Sequence, residues 1–385
     1  MRRLCTAATV LTLMTLACAS TPPAGEPTPT PAPPPPPAIG ESTFDRRGTA
    51  FGFFPSPPEI TLQSVLRHFG DLGEHADFVL AQTNIPWQAW EDETDPEPQA
   101  LIDLRNQAIL AEQNGLEMVF VVDPLNGLNR GEFLGLPSGW EASFANPEVR
   151  RAHKAFSLWI VRTFRPRYLG LASEINTYAD ACPDDFVNFL TLYEEVYRAV
   201  KAEAPDTQVF VTFQWEDLNN LFPGDNEGRQ PYAVNWEQVE VFEPRLDLWV
   251  ISSYPFVAFP SGSAIPPAYY TPLLERTDKP LAVAEGGYTS KPVGPFPGTP
   301  QDQVDYLNAI DTQLGGRLRF WVYLLLNDLR LESYTEAMRA NGTDESDVTT
   351  LGMFEAVGLR QPDGTPKPAL AEWDRLRAAA LEPAP

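Results

Sequence analysis

The sequence of 385 residues predicts an α/β protein built on a (β/α)8 TIM barrel, preceded by a signal peptide and a Pro-rich tether. From residue 49 onward, short apolar runs alternate eight times with longer helix-like stretches. Residues 118–122 and 281–284 are apolar without a break, which is typical of parallel strands that helices cover on both faces. The alternative is a doubly wound open sheet, but no Gly-rich phosphate loop follows the first run.

The apolar runs predict eight strands, and the stretches between them predict eight helices. The strands are predicted at residues 49–54, 76–82, 117–122, 168–172, 208–213, 246–252, 281–284 and 318–325. The helices are predicted at residues 62–71, 99–114, 147–164, 184–203, 234–242, 267–275, 301–314 and 368–379. Most of the long connections follow the C-terminal ends of strands, where barrel enzymes carry their active sites.

Residues 1–17 are typical of a bacterial export signal. Arg2 and Arg3 give a positive start, and residues 7–17 form an apolar run that is too short to cross a membrane. The stretch Thr15-Leu16-Ala17-Cys18 resembles a lipobox, which implies that Cys18 is lipidated and begins the mature chain. The alternative is cleavage at a small-residue site, so that Ser20 begins the mature chain.

Residues 18–40 form a Pro-rich linker that holds ten of the 40 prolines, and residues 41–385 form the domain. Such a linker favours polyproline II and acts as a semi-rigid spacer. Ala19 behind Cys18 resembles the outer-membrane sorting class of lipoproteins. We therefore expect an exported protein, either an outer-membrane lipoprotein or one free in the periplasm or outside the cell.

Charge and cysteine content exclude several classes of partner and site. The formal net charge of −24 repels polyanions, so we expect no nucleic acid partner. Only Cys182 lies in the domain, which therefore has no internal disulfide. His68, His75 and His153 show no metal-ligand spacing, and we predict neither a metal nor a cofactor. We expect a monomer that meets the membrane only through its lipid anchor.

Two predicted strands end in a glutamate, Glu174 on the fourth and Glu285 on the seventh. Burying a carboxylate beside a barrel core is costly unless the group is paired or used in function. Alternation of side chains along a strand places Glu174 with Gly170 and Glu285 with Val283. If those faces point inward, both carboxyl groups meet in the mouth of the barrel. The competing interpretation is that each glutamate caps a loop or pairs with an arginine.

A pair of carboxyl groups in a barrel mouth is the machinery of glycoside hydrolysis. In retaining enzymes the two groups lie about 5–5.5 Å apart. One attacks the anomeric carbon, and the other protonates the leaving oxygen and later activates water. The pattern thus favours a glycoside hydrolase, and the resemblance that follows implies a retaining β-glycosidase.

The residues around both glutamates resemble the glycoside hydrolases of clan A, the "4/7" superfamily of TIM barrels. The resemblance lies in Leu171-Ala172-Ser173-Glu174-Ile175-Asn176 on strand four and Val283-Ala284-Glu285-Gly286-Gly287-Tyr288 on strand seven. Ile251-Ser252-Ser253-Tyr254-Pro255 resembles the strand-six segment of the clan. The Ser-Tyr-Pro and Glu-Gly-Tyr pieces are most similar to family 53 endo-β-1,4-galactanases. The resemblance implies that Glu174 is the acid/base, Glu285 the nucleophile, and Tyr254 the residue that orients Glu285.

The sequence departs from the clan at one position beside the acid/base. The clan has Asn there, which binds the sugar 2-hydroxyl, and this chain has Ser173. Three outcomes are open: Ser173 binds the sugar through water, Asn176 takes over the role of the clan's Asn, or the activity is reduced or altered. The arginine that the clan often has near strand two is not found, and Asn84 stands at that strand end.

Aromatic residues near strand ends supply the remaining candidates for substrate binding. Flat aromatic faces with a polar edge suit sugar rings. Trp215 and Trp87 are the best stacking candidates, followed by Tyr288 and by Trp321, which is either a stacking residue or part of the core. A long cleft lined by such aromatic residues would favour endo-type cleavage of a β-linked glycan. Galactan, mannan and glucan remain open as substrates.

Two other classes of function compete with the hydrolase. The first is a non-catalytic, glycan-binding surface lipoprotein on a TIM-barrel scaffold, which Ser173 favours and the retention of two carboxylates disfavours. The second is an unrelated barrel enzyme, such as an aldolase or a metal hydrolase. No lysine ends a predicted strand and no histidine cluster exists, which disfavours that second class.

Overall fold

Eight parallel β-strands form the centre of the molecule. The structure is a computed structural model that describes residues 42–90, 98–222, 228–340 and 345–380. The strands are β1 (Ala50–Phe53), β2 (Phe78–Asn84), β3 (Glu117–Asp123), β4 (Tyr168–Gly170), β5 (Gln208–Phe210 and Thr212–Gln214), β6 (Trp249–Ser253), β7 (Leu281–Gly286) and β8 (Leu318–Tyr323). Each prediction of a strand from the sequence is confirmed, with ends that differ by a few residues.

Strand β5 closes the sheet into a barrel. Its first half, Gln208–Phe210, pairs with β4, and its second half, Thr212–Gln214, pairs with β6. Only Val211 separates the halves, so the two ends of the hydrogen-bonded strand order meet on one strand. The predicted (β/α)8 barrel is confirmed.

Helices at the eight predicted positions surround the strands of the barrel. They are Leu62–His75, Gln99–Gln113, Pro147–Phe164, Pro183–Glu203, Glu237–Glu240, Thr271–Arg276, Pro300–Leu314 and Pro368–Ala379. Helix starts follow ordinary capping chemistry: the side chains of Thr61, Asn146 and Thr299 each accept a hydrogen bond from a backbone N–H of the first turn. The fifth helix is a single turn, much shorter than the predicted 234–242.

Additional helices lie in the connections. They are Thr43–Arg46, Ile175–Ala181, Trp215–Leu218, Leu331–Ala340 and Glu345–Leu351. The second and third of these directly follow β4 and β5 at the C-terminal end of the barrel. A small antiparallel hairpin, Leu125–Asn126 with Asn129–Phe133, follows β3 at the same end.

Aromatic rings fill the N-terminal part of the barrel interior. Phe320 of β8 contacts Tyr168 of β4, with ring centroids 5.1 Å apart, although these strands lie on opposite sides of the barrel. Phe320 also contacts Phe78 and Phe210. Phe44, from the first short helix, packs on Phe78 and Tyr168 and closes the N-terminal end. The barrel is therefore a packed core at this end.

Side chains that alternate with these rings point outward, toward the helices. Trp321 packs against Trp373 of the last helix, with ring centroids 5.4 Å apart. Phe51 and Phe53 of β1 contact the same tryptophan. The last helix thus closes over β1 and β8 and joins the two ends of the domain.

The described chain enters the domain at the N-terminal end of the barrel. Ser42 donates from its hydroxyl to Glu117 at the start of β3, and Thr43 donates to the same carboxylate from its backbone N–H. The predicted signal peptide (1–17), the lipidation site Cys18 and the linker (18–40) lie outside the described residues. Within the described ranges, every helix is too short or too polar to span a bilayer.

Candidate active site

Glu174 lies where the chain leaves β4 and begins the helix Ile175–Ala181. Its backbone has φ 47°, the left-handed region that residues other than glycine seldom adopt. Its N–H donates to Thr212 Oγ1 of β5 (2.8 Å), and its carbonyl accepts from the Thr177 hydroxyl (2.7 Å). Such backbone conformations persist only where the surroundings hold them, and they concentrate at functional sites.

Glu285 reaches the barrel interior through a β-bulge in β7. Val283 and Glu285 pair with consecutive residues of β6, so Ala284 is an extra residue in the strand. Glu285 is paired with Ser252, whose hydroxyl donates to Glu174 inside the barrel mouth. Paired residues of parallel strands share a face, and Glu285 therefore points inward. Simple alternation groups it with Val283, and that prediction is wrong because of the bulge.

Both carboxyl groups belong to one buried hydrogen-bond network. Glu285 accepts from Ser173 Oγ at Oε1 (3.0 Å) and from Tyr254 OH at Oε2 (3.2 Å). Glu174 accepts from Ser252 Oγ at Oε1 (2.6 Å) and from Arg130 Nε at Oε2 (3.2 Å). Neither glutamate has exposed surface. The structure thus brings together Glu174, Glu285, Ser173 and Tyr254, as the sequence predicts.

Arg130 is the cation of the site. It lies on the hairpin after β3, is fully buried, and donates from Nη1 to Asp123 Oδ2 (2.5 Å) as well as to Glu174. The charges of Asp123, Glu174 and Glu285 outweigh desolvation and raise the pKa of Arg130. Nη2 has no hydrogen-bond partner among the described residues. Sequence reasoning misses Arg130, because its place in the site depends on how the hairpin folds back.

Burial and charge act together on Glu285. Desolvation, followed by the charge of Glu174, raises the pKa of Glu285 well above its usual value. Arg130 and the Ser173 hydroxyl act in the opposite direction. A raised pKa at Glu285 is not expected from the sequence, which gives this residue the role of an ionised nucleophile. The shift favours the protonated form of Glu285.

Two of the polar residues predicted to bind substrate are used in the scaffold. Asn176 accepts from Gln214 N at Oδ1 (2.8 Å) and donates from Nδ2 to Asp217 (2.7 Å), so it ties the β4 end to the β5 end. Asn84 donates to the carbonyls of Asp123 and Leu125 and holds the start of the hairpin. Asn176 thus holds loop backbone, whereas one expectation from the sequence was that it replaces the sugar-binding Asn of clan A.

The four aromatic candidates are also buried, and each packs on protein. Trp215 packs on Trp236, Tyr269 and Tyr270 beside the pair. Trp321 is outward from the barrel, beneath the last helix, and in this position it belongs to the core.

Trp87 and Tyr288 are held by loop carbonyls. The Trp87 indole donates to the Leu134 carbonyl (2.7 Å), and the Tyr288 hydroxyl donates to the Phe259 carbonyl (2.9 Å). A sugar ring meets none of these four faces without movement of the surrounding loops. Their stacking role stays a prediction.

Loops cover the barrel mouth. Asp347, in the helix Glu345–Leu351, accepts from Asn126 of the β3 hairpin (2.9 Å). Phe354 follows that helix and lies edge-on against the Tyr254 ring, with centroids 5.4 Å apart. The segment after β8 therefore reaches both β3 and β6, which explains why the two glutamates have no exposed surface.

An open cavity of about 1420 Å³ lies at the other end of the barrel. Its lining includes Tyr168, Gln208 and Arg319, which stand at the starts of β4, β5 and β8. It is thus separated from the carboxylate pair by the aromatic core. Among the described residues, no three histidine, cysteine or acidic side chains are grouped so as to hold a metal ion.

No family model and no curated protein sequence matches the chain. Solved structures do. The chain is similar to the exo-β-1,4-mannosidase of Opitutaceae bacterium strain TAV5, with a TM-score of 0.62 and 13% identity over 89% of this chain and 62% of that one. It is similar to GH5_18 of Bifidobacterium longum subsp. longum, with a TM-score of 0.60 and 16% identity over 88% of this chain and 81% of that one.

A family 53 structure is also similar. The Ignisphaera aggregans GH53 catalytic domain gives a TM-score of 0.53 and 15% identity, over 86% of this chain and 91% of that domain. At such identities the likeness concerns the fold, which is that of TIM-barrel glycoside hydrolases from several families. The chain spans less than two thirds of the length of the mannosidase.

Proposed function

We propose that this chain, which has the fold of TIM-barrel glycoside hydrolases, cleaves β-glycosidic bonds in a polysaccharide or oligosaccharide by double displacement. The observation that carries the proposal is the buried network in which Glu174 and Glu285, from the ends of β4 and β7, share the barrel mouth. The Tyr254 hydroxyl on Glu285 supports the same roles.

In the first step, Glu285 is the nucleophile. A carboxylate oxygen of Glu285 forms a bond to the anomeric carbon while the bond from that carbon to the leaving oxygen breaks. Glu174 gives its proton to the leaving oxygen, so the first product departs as an alcohol. The result is a glycosyl ester on Glu285 and an ionised Glu174.

In the second step, Glu174 is the base. It takes a proton from a water molecule whose oxygen attacks the anomeric carbon, and the ester bond to Glu285 breaks. The sugar leaves with its original configuration. The reaction as a whole starts from one proton on the two carboxyl groups, because the first step needs an ionised Glu285 and a protonated Glu174. For catalysis that proton must lie on Glu174 when substrate is bound.

Substrate class and location belong to the same proposal. We infer a β-linked glycan and favour endo-type cleavage. We further propose export, with a lipid anchor at Cys18 or release into the periplasm or medium, and a monomeric state. The Pro-rich linker supports an anchored form, because it would hold the barrel away from a membrane surface.

The test is the activity of Glu285→Gln and Glu174→Gln on a panel of β-glycans, with detection of new reducing ends. Each change keeps the size of the side chain but removes its nucleophilic or acid form. We expect each to lower kcat by at least about 10³-fold, since single groups of such catalytic pairs carry effects of this order. Glu112→Gln, on an exposed face of the helix Gln99–Gln113, should match the wild type. Full activity in either site variant would exclude the role given to that residue.

One observation favours a second candidate, a non-catalytic glycan-binding lipoprotein. Arg130 pairs with the carboxylate form of Glu174, whereas an acid must carry a proton. Ser173 in place of the clan's Asn points the same way. A mechanism-based 2-fluoro-glycoside separates the candidates: a covalent adduct on Glu285 by mass spectrometry supports the hydrolase, and calorimetric glycan binding without adduct supports the binder.

A further inference from the structure

Glu216 is a further buried carboxylate near the pair, besides Asp123, and the proposed chemistry gives it no part. It follows β5 in the helix Trp215–Leu218, and its side chain has no exposed surface. Its oxygens accept four hydrogen bonds, from Ser253 Oγ (2.6 Å), Gln214 Nε2 (2.7 Å), Tyr254 N (3.0 Å) and Tyr269 OH (3.2 Å). Every one of these partners can act as a donor, which is the surrounding that a buried carboxylate needs.

These bonds fix the end of β6, which is the segment that contacts both carboxylates of the pair. The Ser252 hydroxyl donates to Glu174, and the Tyr254 hydroxyl donates to Glu285. Between them, Glu216 binds the side chain of Ser253 and the backbone N–H of Tyr254. A shift of this strand end would therefore move two hydroxyl donors at once.

A neutral acceptor would hold a backbone N–H at lower cost than a buried carboxylate. Burial raises the pKa of Glu216, and its hydrogen bonds act against that shift. Bonds to an ionised acceptor are shorter and about twice as strong as neutral ones. A strand end that must place two hydroxyls with high accuracy is where such bonds have a use.

We infer that Glu216 is a positioning residue of the active site, which acts through the β6 end to hold Tyr254 and Ser252 on the two carboxylates. The inference rests on the proposed function. Glu216 does not touch the reacting atoms in this arrangement. Its effect should therefore depend on the presence of the Tyr254 hydroxyl.

The experiment compares Glu216→Ala, Glu216→Gln, Tyr254→Phe and the double variant Glu216→Ala/Tyr254→Phe in the full chain. Glu216→Ala should lower kcat by roughly 10–100-fold and change KM by less than about threefold, because misplacement of this order affects the chemical step. Glu216→Gln should recover most of kcat. Its amide oxygen can accept from Tyr254 N, and its amide nitrogen can donate to the Ser253 and Tyr269 hydroxyls.

The pH profile of kcat/KM is the readout that a purely structural role would not move. Loss of the Tyr254 donor removes a hydrogen bond to ionised Glu285, which raises the pKa of Glu285 further. The acidic limb should therefore move to higher pH in Glu216→Ala and in Tyr254→Phe. In the double variant it should move no further than in Tyr254→Phe alone. Asp302→Asn is the matched control, because Asp302 is a buried carboxylate that accepts from Gly262 N (2.8 Å) far from the pair.

Additive effects in the double variant, or a wild-type acidic limb in Glu216→Ala, would overturn the inference. If Glu216→Ala does not fold, Glu216→Asp replaces it, since it keeps the charge but withdraws the oxygens from β6. Asp should give the same shift of the limb, and an unshifted limb would overturn the inference equally. Activity in Glu285→Gln would instead remove the proposed function, so the two failures can be told apart.

Discussion

At the scale of single residues, Arg130 sets the charge of the site. It is the partner of Asp123 and Glu174, and its charge also reaches Glu285. One guanidinium thus faces three carboxyl groups in a region with no exposed surface. Such an excess of negative charge favours protonation of one of these carboxyl groups.

Asp217 gives a prediction on the pH dependence of stability. Burial, followed by the charge of Asp180, raises the pKa of Asp217 to about 7 from 3.8. The folded state then binds a proton more tightly than the unfolded chain does. This contribution to stability is complete below pH 3.8 and is lost as the pH rises to about 7.

We expect Asp217→Asn to be more favourable, relative to the wild type, at pH 8 than at pH 4. The difference should be of the order of a few kcal/mol in the free energy of unfolding, at roughly 1.4 kcal/mol per unit of pKa. Urea denaturation at both pH values measures it. The exposed variant Glu112→Gln should follow the wild type. A constant difference between Asp217→Asn and the wild type would contradict the raised pKa.

Residues that end apolar strands were predictable, whereas their partners from loops were not. Glu174, Glu285 and Tyr254 follow strands whose order and direction are fixed by the barrel, so their meeting could be expected from the sequence. Arg130 and Glu216 lie beyond strand ends, and their positions depend on turns that the apolar pattern does not specify. The sequence could not show that the tryptophans are buried in this structure for a similar reason, since an aromatic residue near a strand end packs inward as readily as it faces solvent.

At the scale of the elements, the bulge in β7 decides the direction of Glu285. Strand type and location follow from the apolar run 281–284, but an added residue reverses the face of everything beyond it. No signal within that run distinguishes Ala284 as the extra residue. The inward direction of Glu285 was expected from an alternation that the strand does not keep.

Gly286 tests how closely this part of β7 is packed. A Cβ at this position would lie 2.1 Å from the Tyr306 hydroxyl oxygen and 2.8 Å from the Ser253 carbonyl oxygen. We expect Gly286→Ala to lower the free energy of unfolding by about 1–3 kcal/mol, as overpacking does. It should also reduce kcat, because Glu285 is the adjacent residue.

Thermal unfolding and kcat measured on the same preparation check this expectation. Gly316→Ala is the control, since a Cβ there meets nothing within 4 Å. Wild-type kcat in Gly286→Ala would mean that Glu285 is placed independently of the close contact at its neighbour.

At the scale of the whole molecule, the barrel is closed laterally by the two halves of β5 and at its N-terminal end by Phe44. The Phe44 ring is buried against Phe78 and Tyr168. The sequence predicted the closed barrel, because eight alternations leave few other arrangements. The sequence did not predict that Phe44 closes the N-terminal end, because this residue lies in a helix of only four residues.

Phe44→Ala should lower the free energy of unfolding by about 3–5 kcal/mol, since it opens a cavity beneath the aromatic core. The pH profile of activity should not change, because the pair lies at the opposite end of the barrel. Urea denaturation gives the first quantity. Leu62→Ala, at a side chain that is 55% exposed, should stay within about 0.5 kcal/mol of the wild type. A comparable loss in both variants would show that Phe44 does not close the core.

The described chain enters the barrel at the end that Phe44 closes, and this determines how the molecule is oriented when it is attached to a surface. Ser42 is bound to the start of β3, on the side opposite the strand ends that carry the two glutamates. An acyl group, a resin bead or a fused fluorescent protein coupled directly ahead of Ser42 would therefore attach on the side opposite the two glutamates. Molecules immobilised in this way should expose the end of the barrel with the two glutamates to the solution, where even a bulky polymer can approach it.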